Sequence, residues 1–411
     1  MRYGLIGASL PHSYSKLIHD ALGRYGYELM PMDEDGMRRF MERADFDGIN
    51  VTIPYKEKVI PYLHSIDEGA RRIGAVNTVV NRGGRLYGYN TDVYGVKDTL
   101  RRAGIGLKGK KVAVLGTGGT SKTVSYVCRT AGADVSLVSR TPGVGALGYE
   151  ELPELRPDII MNTTPVGMFP KTGVSPVSPS CLDGVSFVFD VIYNPLRTRL
   201  TLDAKERGIK TAGGLYMLVS QAMRSAELFT GEPVGAAETE RIYEGLLSGI
   251  RNIVLTGMPG CGKTTVGRLL SGRLGAPFYD TDALIEERVG SVPDYIRAHG
   301  EAAFRDVESA VIAGLSSVRG AVIATGGGAV LREENVRSLA ENGRIFYLYR
   351  DIDKIVPDAS RPLSSDRASL LRRFEERREI YERTADEKVD CSGSAVTVAG
   401  VTVNIPCNPE N

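Results

Sequence analysis

The chain has almost no excess charge: among 411 residues, 51 Lys and Arg stand against 50 Asp and Glu, a formal net charge of +1. A nucleic-acid or membrane-surface partner recruited by a strong field is therefore not expected. It also lacks a long apolar run, since no stretch approaches the about 20 residues that cross a bilayer. The opening MRYGLIGASLPHS breaks too soon at Gly and Pro for a secretory signal and reads as a first strand and turn. Cytoplasm is the expected compartment. Cysteine is sparse: Cys128, Cys181, Cys261, Cys391 and Cys407 form no short metal-type pair, so reduced thiols are expected rather than a zinc site or a disulfide framework. Internal repeats and low-complexity tracts are missing as well.

What is present is ordinary globular composition, 42% hydrophobic and 25% charged, with 48 Gly for turns and close approaches. The length suggests two or three domains. Strand-like apolar runs alternate with helix-length amphipathic segments, which predicts α/β architecture with parallel sheets. One boundary is expected near residue 100, before the strand KVAVLG, and another at about 245–250, before NIVLTG. Between them MLVSQAMRSAELFTG, 217–231, reads as a helix stopped by Gly231, and the charged stretch after it as a helical linker.

Two different glycine turns follow two different strands. GMPGCGKT satisfies the phosphate-binding pattern with Gly257, Gly262, Lys263 and Thr264, after a strand and before a helix. Backbone N–H groups of such a loop wrap phosphates, Lys263 reaches the outer ones, and Thr264 can ligate magnesium. Downstream, YDTDALIEE places Asp280 and Asp282 two apart at an expected strand end, with both side chains on one side. One suits a metal and the other a substrate hydroxyl. Arg305, the glycine turn Gly326, Gly327 and Gly328, Arg361 and Arg377 come next. Each arginine alone is as well explained by a solvated helix face; the ordered set carries the weight.

That set, over residues 252 to about 392, resembles shikimate kinase, a P-loop family of the nucleoside-monophosphate-kinase-like α/β class. The resemblance implies that Asp282 orients the attacking hydroxyl and that Arg305, Arg377 and Gly327 hold shikimate. It further implies that Gly257, Pro259, Gly260, Cys261, Gly262, Lys263, Thr264, Thr265 and the lid residue Arg361 serve ATP, and that Thr264 and Asp280 serve Mg2+. The lid segment RDIDKIVPDAS is shorter than the family's, so lid closure and ATP affinity stay open.

The other turn, VLGTGGTSK, has Gly116, Gly118 and Gly119, with Ser121 where a third glycine would stand. It opens a helix after a strand, so pyrophosphate binding is expected, although a purely structural βαβ turn would look alike. The next strand ends in Ser139 and Arg140 rather than an acid, which favours the 2′-phosphate of NADP over NAD. Around it lie Ser13 and Ser15 in a turn before a helix, Asn50, Thr52 and Lys56 at and past a strand end, Asn77, and Asp92. His12 and His19 read as turn and helix residues.

This order resembles shikimate dehydrogenase, over residues 1 to about 245. The resemblance implies a catalytic pair Lys56 and Asp92, and substrate contacts from Ser13, Ser15, Thr52, Asn77, Tyr193 and Gln221. It implies NADP(H) contacts from Gly116, Gly118, Gly119, Thr120, Ser139, Arg140, Thr141, Thr164, Gly214 and Met217. The stretch 141–161 is short for a crossover and lacks an apolar helix pattern, so cofactor affinity stays open.

Taken together the resemblances imply a substrate-binding domain at 1–100, completed by a helix at about 214–240, and a Rossmann-like NADP domain at 101–213. A linker at 241–250 and a kinase domain at 251–411 would follow. The expected function is reduction of 3-dehydroshikimate to shikimate and then its phosphorylation to shikimate 3-phosphate by ATP. Alternatives are a first half that takes quinate or NAD, and a half kept as a ligand-binding regulatory module. A homodimer is compatible with the resemblances, and the tail 393–411, which contains one alternating strand-like run, has no assigned role.

Overall fold

A computed structural model of the protein describes residues 2–10, 13–143, 145–355, 366–391, 393, 395 and 398–400. The chain divides into two compact units, Met1–Leu246 and Leu247–Asn411, each described by itself.

Unit 1 begins with a sheet of β1 (Tyr3–Gly7), β2 (Tyr27–Pro31), β3 (Gly48–Val51), β4 (Ser65–Ile66), β5 (Thr78–Arg82) and β6 (Arg85–Tyr89). Their order is β2-β1-β3-β5-β6-β4, with β1 parallel to β2 and β3, and β5 antiparallel to both neighbours. All five residues of β1 are buried, as a strand covered on both faces requires. Part of the cover comes from the helix Leu215–Thr230, whose Val219, Ala222 and Met223 pack with Ile18 and Leu22. That helix ends at Gly231, which adopts φ 77° and donates its N–H to Glu227. Arg102 pairs with Glu240 at 2.6 Å and lies over the rings of Tyr216 and Tyr243, at 4.9 and 4.7 Å from their centroids. The stretch expected as a linker belongs to the helix Ala236–Ile250.

The second sheet holds β7 (Lys111–Leu115), β8 (Asp134–Val138), β9 (Ala146–Leu147), β10 (Ile159–Asn162), β11 (Phe187–Asp190) and β12 (Lys210–Ala212). It is parallel throughout, in the order β12-β11-β10-β7-β8-β9. The winding reverses between β7 and β10, and the crevice at their carboxyl ends is where such sheets bind ligands. Past β8 the crossover keeps only β9, a short turn and the four-residue helix Leu152–Leu155.

Unit 2 carries a parallel sheet of β13 (Asn252–Thr256), β14 (Phe278–Asp280), β15 (Val322–Ala324), β16 (Gly343–Tyr349) and β17 (Glu387–Asp390), in the order β14-β15-β13-β16-β17. The glycine loop 257–262 leaves the central strand β13 and enters the helix Lys263–Leu274. In the tail, 398–400 is helical and Val398 and Ala399 are buried in the core of this unit. At 398–400 the helix replaces the strand-like run read from the sequence, and the rest of that run lies outside the described residues. Among the described residues no helix is long and apolar enough to cross a membrane.

Two candidate active sites

At the first site, Lys56 Nζ donates to Asp92 Oδ2 at 2.6 Å, and both side chains are largely buried, 18% and 10% exposed. Asp92 is the first residue of the helix Asp92–Arg102, where the positive end of the helix dipole favours its carboxylate. Thr52 follows β3; its N–H donates to Ile6 in β1 at 3.0 Å, which sets it at the carboxyl ends of both strands. Asn77 is buried, and its Oδ1 accepts from the Thr91 N–H at 2.7 Å and the Thr91 hydroxyl at 3.2 Å. Its Nδ2 faces Gln221 Oε1 at 3.5 Å. Residues 144 apart in sequence thus meet beside Asp92.

Ser15 is the first residue of the helix Ser15–Leu22 rather than part of the turn before it, and its N–H donates to Ser13 Oγ at 3.3 Å. Tyr193 lies with its ring 5.5 Å from that of Tyr14, between the two serines. His19 stacks on Tyr27 at 3.9 Å, with Nδ1 2.8 Å from the Tyr25 hydroxyl. Burial holds its imidazole neutral down to about 3, so it is no proton donor near neutrality. His12 lies outside the described residues.

Thr78, Thr91, Ser225 and Asp190 were not singled out from the sequence, whereas Asn50 was. Thr78, Thr91, Ser225 and Asn50 form a buried network, with Ser225 Oγ 2.9 Å from Thr78 Oγ1, 3.0 Å from Thr91 Oγ1 and 2.8 Å from Asn50 Nδ2. Such a network fixes rotamers from behind. Asp190, fully buried at the end of β11, accepts from Asn162 at 3.1 Å, Ile192 N–H at 3.1 Å and Thr198 at 2.7 Å, and so anchors the loop that carries Tyr193. Burial outweighs those three donors and raises its carboxyl to about 6. The folded state then binds this proton more tightly than the unfolded chain. The stability it contributes is full below pH about 4 and is lost as pH rises through about 6. A carbon-detected titration of Asp190 is expected to give a midpoint near 6; a midpoint near 4 would contradict the burial argument.

The nucleotide crevice lies close by, since Asn90 Nδ2, two residues before Asp92, donates to Thr123 at 3.3 Å on the helix Gly119–Thr130. Gly118 caps this helix without a side chain, so its first N–H groups face the turn. A Cβ at Gly118 or Gly119 would meet nothing within 4 Å, which leaves the room a pyrophosphate needs. Ser121 hydrogen-bonds Gly116 O at 2.6 Å, closing the turn where a third glycine was absent, and Thr120 follows Gly119 at the helix start. Thr164 lines up after β10 with its hydroxyl on Asn162 at 2.7 Å. Past β8, Ser139 is buried and accepts from the Thr141 N–H at 3.3 Å, while Arg140 is exposed. Gly214 caps the helix that contains the buried Met217. These residues fit an adenine dinucleotide.

At the second site, Gly262 adopts φ 105° as the cap of the helix Lys263–Leu274, a conformation that favours glycine. Lys263 is buried and folds over its own loop, donating to Gly257 O at 2.8 Å and Met258 O at 3.0 Å. Thr264 Oγ1 donates to Asp280 Oδ2 at 2.7 Å. The two expected metal ligands are thus in contact, a set of oxygens that suits Mg2+, which keeps most of its waters.

A cavity of about 500 Å3 opens beside the loop, lined by Pro259, Gly260, Gly262, Lys263, Thr264, Thr265, Asp282, Arg305, Glu308, Gly327, Arg373 and Arg377 among others. The turn 326–328 forms its floor. A Cβ at Gly326 would lie 2.6 Å from Asp282 Oδ1 and 3.0 Å from Glu308 Oε1, and one at Gly327 2.7 Å from Pro259. Any side chain there would push the carboxylates or the phosphate loop away. Gly327 O accepts from Arg377 Nη1 at 3.0 Å and from the Tyr381 hydroxyl. Arg305 donates to Glu308 at 2.7 Å and Glu301 at 2.9 Å. Burial pushes the Glu308 carboxyl up, against the pull of Arg305, and Asp282 adds to the rise.

The expected strand pairing of Asp280 and Asp282 is corrected. β14 stops at Asp280, whose Oδ1 accepts the Asp282 N–H at 3.1 Å and caps the helix Thr281–Val289. Helical geometry, not strand alternation, turns Asp282 into the cavity. Glu308 was not singled out, although its spacing of three after Arg305 suits a helix pair; Arg373 was missed too. Arg361 lies outside the described residues, as does the second part of the expected lid, 356–360. Cys261, within the phosphate loop, is buried.

Comparison with known proteins gives each half a family. The shikimate dehydrogenase substrate binding domain matches residues 5–79, and shikimate kinase matches residues 259–403. The shikimate dehydrogenase (NADP(+)) of Clostridium perfringens is 36% identical over 264 residues, 59% of this chain and 97% of that protein. That of Halothermothrix orenii is 40% identical over 260 residues, 56% of this chain and 90% of its own. Among solved structures, a chorismate mutase/shikimate 5-dehydrogenase fusion from Clostridium acetobutylicum aligns with TM-score 0.57 at 37% identity, covering 59% of this chain and 96% of that one. Shikimate 5-dehydrogenase from Thermus thermophilus, in complex with NADP(H) and shikimate, aligns at 0.55 and 33%, covering 60% and 99%. The chain therefore belongs to the shikimate dehydrogenase family in its first unit and carries a shikimate kinase domain in its second, a bifunctional enzyme of the shikimate pathway.

Proposed function

We propose that unit 1 reduces 3-dehydroshikimate to shikimate and that unit 2 phosphorylates the shikimate so formed, in the cytoplasm. The observation that carries this reading is the pairing, in one chain, of a buried Lys56–Asp92 dyad with an arginine-lined cavity on a phosphate loop.

NADPH would supply the hydride when bound; the glycine turn 116–119 would hold its pyrophosphate, Ser139, Arg140 and Thr141 would favour its 2′-phosphate, and Thr164, Gly214 and Met217 would complete its site. The protein supplies the rest. Ketone reduction leaves negative charge on oxygen, and the Lys56 ammonium stabilises it and delivers the proton. Asp92 holds Lys56 in place and accepts from a substrate hydroxyl. Ser13, Ser15 and Tyr193 hold the carboxylate, while Thr52, Asn77 and Gln221 position the ring hydroxyls. For cofactor choice, Arg140→Asp is expected to raise the KM for NADPH at least about tenfold and to leave that for NADH little changed. Parallel titrations of both cofactors check it.

In unit 2, Asp282 orients the attacking hydroxyl and takes up its proton. Lys263, which donates to its own loop here, would meet the transferred phosphoryl group, and Thr264 and Asp280 would hold Mg2+, which would neutralise phosphate charge when bound. Gly327 contacts the acceptor through its N–H, and Arg377 holds the carboxylate. Phosphoryl transfer needs such positioning and charge more than covalent help. Separate assays of purified protein test each half: NADPH oxidation by 3-dehydroshikimate, and ATP consumption dependent on shikimate.

A further inference from the structure

Three guanidinium groups reach the acceptor side of the unit 2 cavity, and the sequence pointed to only two of them. Arg305 sits between two carboxylates, with one terminal nitrogen donating to Glu308 at 2.7 Å and the other to Glu301 at 2.9 Å. Its charge is largely balanced inside the protein, with two of its five N–H donors committed to carboxylates. Arg377 is buried, gives one nitrogen to Gly327 O at 3.0 Å, and has a buried Nε without a partner among the described residues.

Arg373 stands four residues, one helical turn, before Arg377 on the helix Arg367–Thr384 and lines the same cavity. It makes no hydrogen bond or ion pair among the described residues. Its surroundings are unfavourable to it: burial and the neighbouring charges of Arg377 and Arg305 disfavour its protonated form, while Glu301 favours it. A cation kept half-buried beside two others, with no partner of its own, is relieved when an anion enters. With Arg305 balanced by Glu301 and Glu308, Arg373 and Arg377 are left on the cavity lining with no carboxylate hydrogen-bonded to them among the described residues.

We infer that Arg373 is a specificity-determining residue of the kinase site, a further guanidinium that grips the carboxylate of the acceptor together with Arg377. The inference rests on the function proposed for unit 2 and adds a residue to it. Arg305, steadied by Glu301 and Glu308, keeps the place that the resemblance gives it, and Arg373 adds a contact with the ligand acid. Planar two-nitrogen recognition of a carboxylate is a property of arginine that lysine does not reproduce. The site should therefore distinguish an acid from its neutral ester by means of Arg373.

The test compares shikimate with its methyl ester as acceptors for the full chain, in the wild type, Arg373→Ala and Arg373→Lys. Loss of one charge-assisted hydrogen-bonding group is expected to raise the KM for shikimate by about tenfold or more in Arg373→Ala, with kcat within about twofold. KM values for the ester and for ATP should not move, so the preference for acid over ester falls by the same factor. Arg373→Lys should recover only part of it. Position 373 is only half-buried, and alanine is a strong helix former, so the fold is kept; unchanged phosphorylation of the ester in the same preparations confirms an intact kinase domain. An unchanged KM for shikimate in Arg373→Ala, or equal losses for acid and ester, overturns the inference. Failure of the unchanged chain to phosphorylate shikimate would overturn the proposed function of unit 2 and the inference with it, so the two failures are distinguishable.

Discussion

Lys56→Ala is expected to lower reduction of 3-dehydroshikimate by about a thousandfold or more and to leave phosphorylation of shikimate unchanged. On the proposed mechanism the variant removes the proton donor and the positive charge at the reacting oxygen together, and general acid catalysis alone is worth about a hundred- to ten-thousandfold. It also strands Asp92, whose 2.6 Å partner disappears from a largely buried site. Breaking a buried pair is destabilising because the remaining charge is uncompensated, so thermal melting should be recorded beside the rates. Lys56→Met removes the charge but keeps the bulk. If either variant still oxidises NADPH with 3-dehydroshikimate within tenfold of the wild type, on the order of 1.4 kcal/mol, Lys56 is not the proton donor.

The converse change is Asp282→Asn, expected to lower shikimate phosphorylation by on the order of a thousandfold with reduction untouched. Asparagine keeps the shape that rests against Gly326 but neither takes a proton nor carries charge. Removing that charge also removes one cause of the raised Glu308 carboxyl, so Glu308 should titrate lower in the variant than in the wild type. The KM for ATP should change little, because the proposed role of Asp282 is toward the acceptor and not toward the nucleotide. Equal damage to both activities from either substitution would contradict separate sites.

How much of this was legible in the sequence differs between the sites for a physical reason. The phosphate loop is local: Gly257 to Thr264 needs only a strand before it and a helix after it, and both are encoded within twenty residues on either side. The alternation of strands and helices likewise gave the α/β class. The sequence misled where short-range chemistry overrode a longer pattern. Asp280 stops its strand by capping the next helix, and an Asp two residues before an apolar helical run could have been read as that cap. Contacts between distant segments were not legible. Ser225 closes on Thr91 across 134 residues, and nothing local to either marks the partner. The glycines at 326–328 were read as a turn; their need for close approach by Asp282, Glu308 and Pro259 shows only in three dimensions. Glu308 and Arg373 were passed over because a charged residue in a charged helix looks like a solvated one.

Joining both halves in one chain fixes their amounts at one to one. It does not by itself hand shikimate from one site to the other, since tethering raises proximity without aligning two openings.

The most direct measurement is to incubate the purified chain with 3-dehydroshikimate, NADPH, ATP and Mg2+ and follow the acid by mass spectrometry. The account predicts a species that has gained two hydrogens and then one phosphoryl group, absent when either nucleotide is omitted. Folded protein that yields no such doubly processed acid would contradict it.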